Sequence, residues 1–76
     1  KELKSDKEVV LEAVKQNGFT LEYLSAFKND KEVVLAAVKQ NGMALEYASD
    51  KLKNDREVVL VAVRQNRRAI KYSHLN

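Results

Sequence analysis

Asn29-Asp30-Lys31-Glu32-Val33-Val34-Leu35-Ala36-Ala37-Val38-Lys39-Gln40-Asn41-Gly42 is a string that this chain writes almost three times over. Residues 6–18 are DKEVVLEAVKQNG, residues 30–42 are DKEVVLAAVKQNG, and residues 55–67 are DREVVLVAVRQNR, at offsets of 24 and 25 residues. The stretch after each copy repeats too: Phe19-Thr20-Leu21-Glu22-Tyr23-Leu24, Met43-Ala44-Leu45-Glu46-Tyr47-Ala48 and Arg68-Ala69-Ile70-Lys71-Tyr72-Ser73. Self-similarity at a fixed short period marks a unit that cannot bury its own apolar face and must stack on its neighbours.

Each copy reads as two helices. Ser5, Asn29 and Asn54 are N-cap types, and Glu8, Glu32 and Glu57 stand three residues later, which predicts a capping box in every copy. Asp6, Asp30 and Asp55 suit the positive first turn, while Lys15, Lys39 and Arg64 suit the last. Asn17-Gly18 and Asn41-Gly42 then end the helix, with glycine expected in the left-handed C′ conformation. Arg67 replaces the third glycine, so the third turn is expected to differ, with Asn66 at positive φ or the helix running on. The predicted pairs cover about residues 7–24, 31–48 and 56–74, broken near Asn17, Asn41 and Asn66.

Strands are the competing reading, because Val-Val-Leu runs favour them, Asn-Gly is a hairpin signal, and the period is that of a leucine-rich repeat. The Leu-x-x-Leu-x-Leu spacing is absent, though, and apolar residues 9, 10, 11, 13 and 14 do not alternate. On a helical wheel those five span about 200° of arc, more than one partner helix covers. The adjoining position changes from Glu12 to Ala36 to Val61, as if it faced a preceding copy that the first one lacks. The expected fold is all-α: a right-handed stack of helix–turn–helix repeats, a short α-solenoid over residues 1–76. Its units are 5–28, 29–53 and 54–76, with 1–4 as the tail of an earlier unit.

Composition narrows the functional classes. There is no Cys, which removes disulfides, thiolate catalysis and cysteine-held metal, and favours a reducing, intracellular setting. The longest apolar run, Val58–Val63, is far short of a membrane span. No signal peptide is visible, and the opening Lys1 suits a piece of a longer protein. Net charge is +3: residues 1–54 balance nine Lys against nine acidic groups, and the excess lies after residue 54.

The string NDKEVVLAAVKQNG followed by Ala44-Leu45-Glu46-Tyr47-Ala48-Ser49 resembles the short helical tandem repeat catalogued as domain of unknown function 4116. The resemblance covers essentially the whole chain and is closest over residues 29–53. It departs at Phe27, where one residue is missing, and at Arg67-Arg68, where Gly and an apolar residue are usual. It implies a helical array within larger proteins of intracellular bacteria and protists, such as a bacterial effector delivered into a host cell. It brings no assigned activity and no site residues.

Few side chains converge toward chemistry. His74 is the only histidine, without a second metal ligand at useful spacing, so no metal and no cofactor is expected. Ser5, Ser25, Ser49 and Ser73 all fall in cap or helix positions, and Glu8, Glu32 and Glu57 lie on successive copies, so no catalytic set forms and an enzyme is not expected. Tyr23, Tyr47 and Tyr72 form a row that could stack on bases but reads first as packing with wet hydroxyls. Gln16-Asn17, Gln40-Asn41 and Gln65-Asn66 form a second row, suited to bonding the turn backbones of adjacent copies. Arg64, Arg67, Arg68 and Lys71 are the one candidate anion contact. The expected role is a structural or protein-interaction module whose partner is a protein. Nucleic acid or acidic lipid, bound through the basic last copy, is the alternative. Arg68 and Ser73 are expected exposed, Val61 buried against the second copy, and Ile70 and Tyr72 inward-facing, as in a C-terminal cap.

Overall fold

A computed structural model describes residues 5–75 and is all-helical, with no strand among them; the expected tail at 1–4 lies outside the described residues. Three α-helices match the three long copies: α1 (Asp6–Gln16), α2 (Lys31–Gln40) and, after a short α3 (Asp50–Lys53), α4 (Arg56–Gln65). The β-branched run that favours strands is held helical by its ends and by burial of its valines.

The caps differ from copy to copy. Ser5 caps α1 in the expected box, its hydroxyl accepting from the Glu8 N–H while the Glu8 carboxylate accepts from the Ser5 N–H. At α2 and α4 the cap is one residue later than expected. Asp30 accepts from the N–H groups of Glu32 and Val33, and Asp55 from those of Glu57 and Val58. An ionised aspartate interacts with the helix dipole more strongly than a neutral asparagine. It therefore wins the cap from Asn29 and Asn54, and releases Glu32 and Glu57 for other partners.

Each of the three long α-helices stops at an asparagine in extended backbone: Asn17, Asn41 and Asn66 have φ −152°, −152° and −153°. Each donates its N–H to the carbonyl four residues back, on Ala13, Ala37 or Ala62. Its side-chain oxygen turns forward to accept from the N–H of Phe19, Met43 or Arg68. One residue thus closes one helix and opens the next. Among the described residues none, glycine included, has positive φ. The expected left-handed glycine is corrected, and so is the deviant third turn, because Asn66 repeats Asn17 and Asn41.

The second helices are also corrected: they are 3₁₀, six residues each, η1 (Gly18–Tyr23), η3 (Gly42–Tyr47) and η4 (Arg67–Tyr72), with a short η2 (Ser25–Phe27) in the first connection. In a 3₁₀ helix residues i and i+3 eclipse. Gly18 and Leu21, and Gly42, Leu45 and Ala48, are accordingly buried in line. The missing residue near Phe27 has a local consequence. The first connection closes with the Phe27 N–H on the Leu24 carbonyl, three back, whereas the second has room for an α-turn from Lys53 to Ser49. Both connections deliver one apolar side chain to the core, Phe27 or Leu52.

Packing runs in series. α1 packs on α2 and α2 on α4, while η1 packs on η3 and η3 on η4. The middle copy supplies most of the fully buried residues, Val33, Val34, Ala37, Val38, Ala44 and Leu45, because it alone is covered on both sides. Each such valine or leucine contributes about 1.5–3 kcal/mol through removal from water. Val61 is half-buried rather than buried, Ser73 is half-buried rather than exposed, and Ile70 is 58% exposed, so none of the three takes the place expected of it; Arg68 is exposed and Tyr72 half-buried.

Candidate functional site

The geometry that recurs lies between copies. Gly18 donates its N–H to the side-chain oxygen of Gln40 at 2.6 Å, and Gly42 to that of Gln65 at 2.5 Å. A Cβ on Gly18 would strike the carbonyl oxygen of Ala37, and one on Gly42 that of Ala62. Glycine is therefore required by the close approach of the next copy's helix backbone, not by its own torsion angles. The glutamine row does bond the neighbouring turn, as its sequence position suggests.

Ion pairs step along the same seam. Lys7 reaches Asp30 at 3.1 Å and Glu32 at 2.8 Å; Lys31 reaches Asp55 at 3.0 Å and Glu57 at 2.9 Å. Sequence reasoning misses these two carboxylate clamps, because it spends Glu32 and Glu57 on caps. Hydrogen bonding to the carboxylates holds the Lys7 and Lys31 ammonium groups above their usual range. Burial pushes Asp30 up, but Lys7 and the Val33 N–H outweigh it and hold it low; at Asp55 the Lys31 ammonium is the leading cause of the same lowering.

The tyrosines continue the row. Tyr47 meets Phe19 edge-to-face, with ring centroids 6.2 Å apart at 86°. Burial, then the Glu22 and Glu46 carboxylates, push its phenol upward. Tyr47 and Tyr72 are half-buried, as packing requires, whereas Tyr23 is 80% exposed.

Arg64, Arg67, Arg68 and Lys71 are all exposed around η4, and among the described residues none pairs with a carboxylate. Lys71 lies 5.2 Å over the Tyr72 ring. His74 Nδ1 stands 3.8 Å from Asp50. Among the described residues no three metal-ligating side chains gather, and no helix is long and apolar enough to cross a membrane. An open groove of about 560 Å³ crosses α2, with Leu35, Ala36 and Val61 in it and Lys15, Lys39, Gln40 and Glu57 at its sides.

The sequence model of the family described as Domain of unknown function (DUF4116) matches residues 1–29 and again 30–75, almost the whole chain. No curated protein and no solved structure matches.

Proposed function

This chain belongs to the DUF4116 family, and on that premise we propose that it is a non-catalytic repeat module, a short right-handed α-solenoid that serves as spacer or protein-docking segment. The observation that carries the reading is the seam at Gly18, made of a glycine against a helix carbonyl and a glutamine on the glycine N–H, and repeated in full at Gly42. A contact made twice in one chain can be made indefinitely, which is how solenoids grow.

The test is to lengthen the chain by a second copy of residues 29–53 inserted after Lys53 and measure small-angle X-ray scattering. A stack lengthens by about 8–10 Å per added unit, the spacing of packed helices, at constant cross-section. Growth in all directions overturns the reading.

The alternative, an anion site, draws support from the four exposed cations around η4. Binding to a single-stranded RNA, titrated with salt, decides between them. Phosphate contacts weaken affinity steeply as salt rises, whereas apolar docking is nearly indifferent.

A further inference from the structure

The lysines of α1 and α2 fall into two classes. Lys7 and Lys31, in the first turns, are each held by two carboxylates of the next copy. Lys15 and Lys39, in the last turns, are exposed, and among the described residues no carboxylate pairs with either. Both stand beside the groove that crosses α2.

The floor of that groove is apolar: Leu35, Ala36 and Val61 are each half-buried. The short Ala36 side chain leaves room over α2, where the equivalent positions on α4 and α1 carry the larger Val61 and Glu12. At the sides, Gln40 has its side-chain oxygen committed to the Gly18 N–H at 2.6 Å, so its outward group is the donating amide nitrogen. Glu57, the carboxylate at the groove, is engaged by Lys31 at 2.9 Å. The unpaired charge here is therefore positive, two ammonium groups beside an apolar floor. α2 has α1 packed on one side and α4 on the other, so stacking at either end leaves this face as it is.

We propose that this groove binds a short acidic and apolar peptide segment of a partner protein, with carboxylates on Lys15 and Lys39 and an aliphatic side chain over Ala36. The inference rests on the reading of the chain as a protein-docking module, and gives that module a place and a partner chemistry. Lys15 and Lys39 hold equivalent positions on packed helices, whose axes lie about 8–10 Å apart. An extended peptide rises about 3.3 Å per residue, so carboxylates two or three positions apart span that gap. The ammonium groups set orientation and reject basic segments, while the floor supplies apolar burial. A bare polyanion would satisfy the lysines and leave the floor wet.

The experiment titrates the 76-residue chain into a fluorescein-labelled peptide of alternating leucine and glutamate, followed by fluorescence anisotropy. Saturable binding is expected, and it should vanish when lysine replaces the glutamates of the peptide or serine its leucines. A Lys15→Gln, Lys39→Gln double variant should bind about tenfold more weakly, since each exposed charge pair contributes a factor of a few. Lys51→Gln with Lys53→Gln, an equal loss of charge on α3 and outside the groove, should leave the affinity unchanged. Ala36→Glu should abolish binding, and the fold accepts glutamate there, because α1 carries Glu12 at the same position; circular dichroism confirms equal helicity. The proposal is overturned by a lack of saturable binding up to about 1 mM, or by binding that survives the loss of both lysines. A leucine-free glutamate peptide that binds equally, or a single-stranded RNA that binds more tightly through the same two lysines, overturns it too. Each of these failures leaves the stacked module to its own scattering test.

Discussion

Replacing Gly42 by alanine sets two physical expectations against each other, and they differ in sign. Gly42 is not at positive φ, so on chain entropy alone a methyl group should stabilise by about 0.4–1 kcal/mol. The methyl carbon, however, would meet the Ala62 carbonyl oxygen, with the Ala62 carbonyl carbon and the Asn66 nitrogen close behind at 3.1 and 3.2 Å. All three are backbone, so α4 must move as a body. Overpacking of this kind costs about 1–3 kcal/mol. The displacement also lengthens the hydrogen bond from Gly42 N–H to Gln65, whose loss costs about 1 kcal/mol more. The net expectation is a loss of about 2–3 kcal/mol, against a total stability of roughly 4–11 kcal/mol for a domain this small. At about 4–8 °C per kcal/mol the melting temperature, followed by far-ultraviolet circular dichroism, falls by about 10–20 °C. Arg67→Ala is the internal control: the equivalent turn position, which is exposed, should change by no more than about 0.5 kcal/mol. A Gly42→Ala variant as stable as the wild type, or more stable, would refute the close-approach account of these glycines.

Other perturbations test neighbouring parts of the seam. Gln40→Ala leaves the part-buried Gly18 N–H without its acceptor and should cost about 1–3 kcal/mol in urea denaturation; an unchanged midpoint would mean that water replaces it fully. Asn41→Ala removes the oxygen that caps η3 and should cost about 0.5–2 kcal/mol in the same assay. Asp30 and Asp55 have folded-state values below their ordinary 3.8, so the stability they add is complete above that pH and fades as pH falls through the folded values. An Asp30→Asn, Asp55→Asn double variant should therefore lose less stability than the wild type on acidification below 3.8, measured as melting temperature against pH. Equal acid sensitivity would contradict it.

The α-helices are legible in the sequence because their signals are local: a cap type, an acidic first turn, a basic last turn and an asparagine stop, three times over. Positions within one residue are not. Asn29-Asp30 and Asn54-Asp55 offer two cap residues in a row, and the charged one prevails only once its competition for the amide groups is weighed. The 3₁₀ character of the second helices is hidden by their brevity. Over Gly18, Leu21 and Leu24 a spacing of three belongs to either helix type, and six residues are too few to separate periods of 3.0 and 3.6. For Gly18 and Gly42 the sequence suggests the commonest reason for a glycine after a helix, whereas the actual reason lies 19 or 20 residues away, in the carbonyls of Ala37 and Ala62. The same non-local cause explains why Arg67 is tolerated with no change in the turn before it: unlike Gly18 and Gly42 it is exposed. The candidate cations at Arg64, Arg67, Arg68 and Lys71 are visible in the sequence by charge alone, but that no described carboxylate pairs with them is seen only in the fold.

Amide hydrogen exchange at three positions tests the seam most directly, since the chain has only two glycines and their amide resonances are readily assigned. Gly18 and Gly42 are buried and donate to glutamines of the following copy, while Arg67 is exposed. The account predicts slow exchange at Gly18 and Gly42, approaching that of global unfolding, and fast exchange at Arg67. Equal, rapid exchange at all three would contradict it, because the copies would then not be locked to one another through these turns.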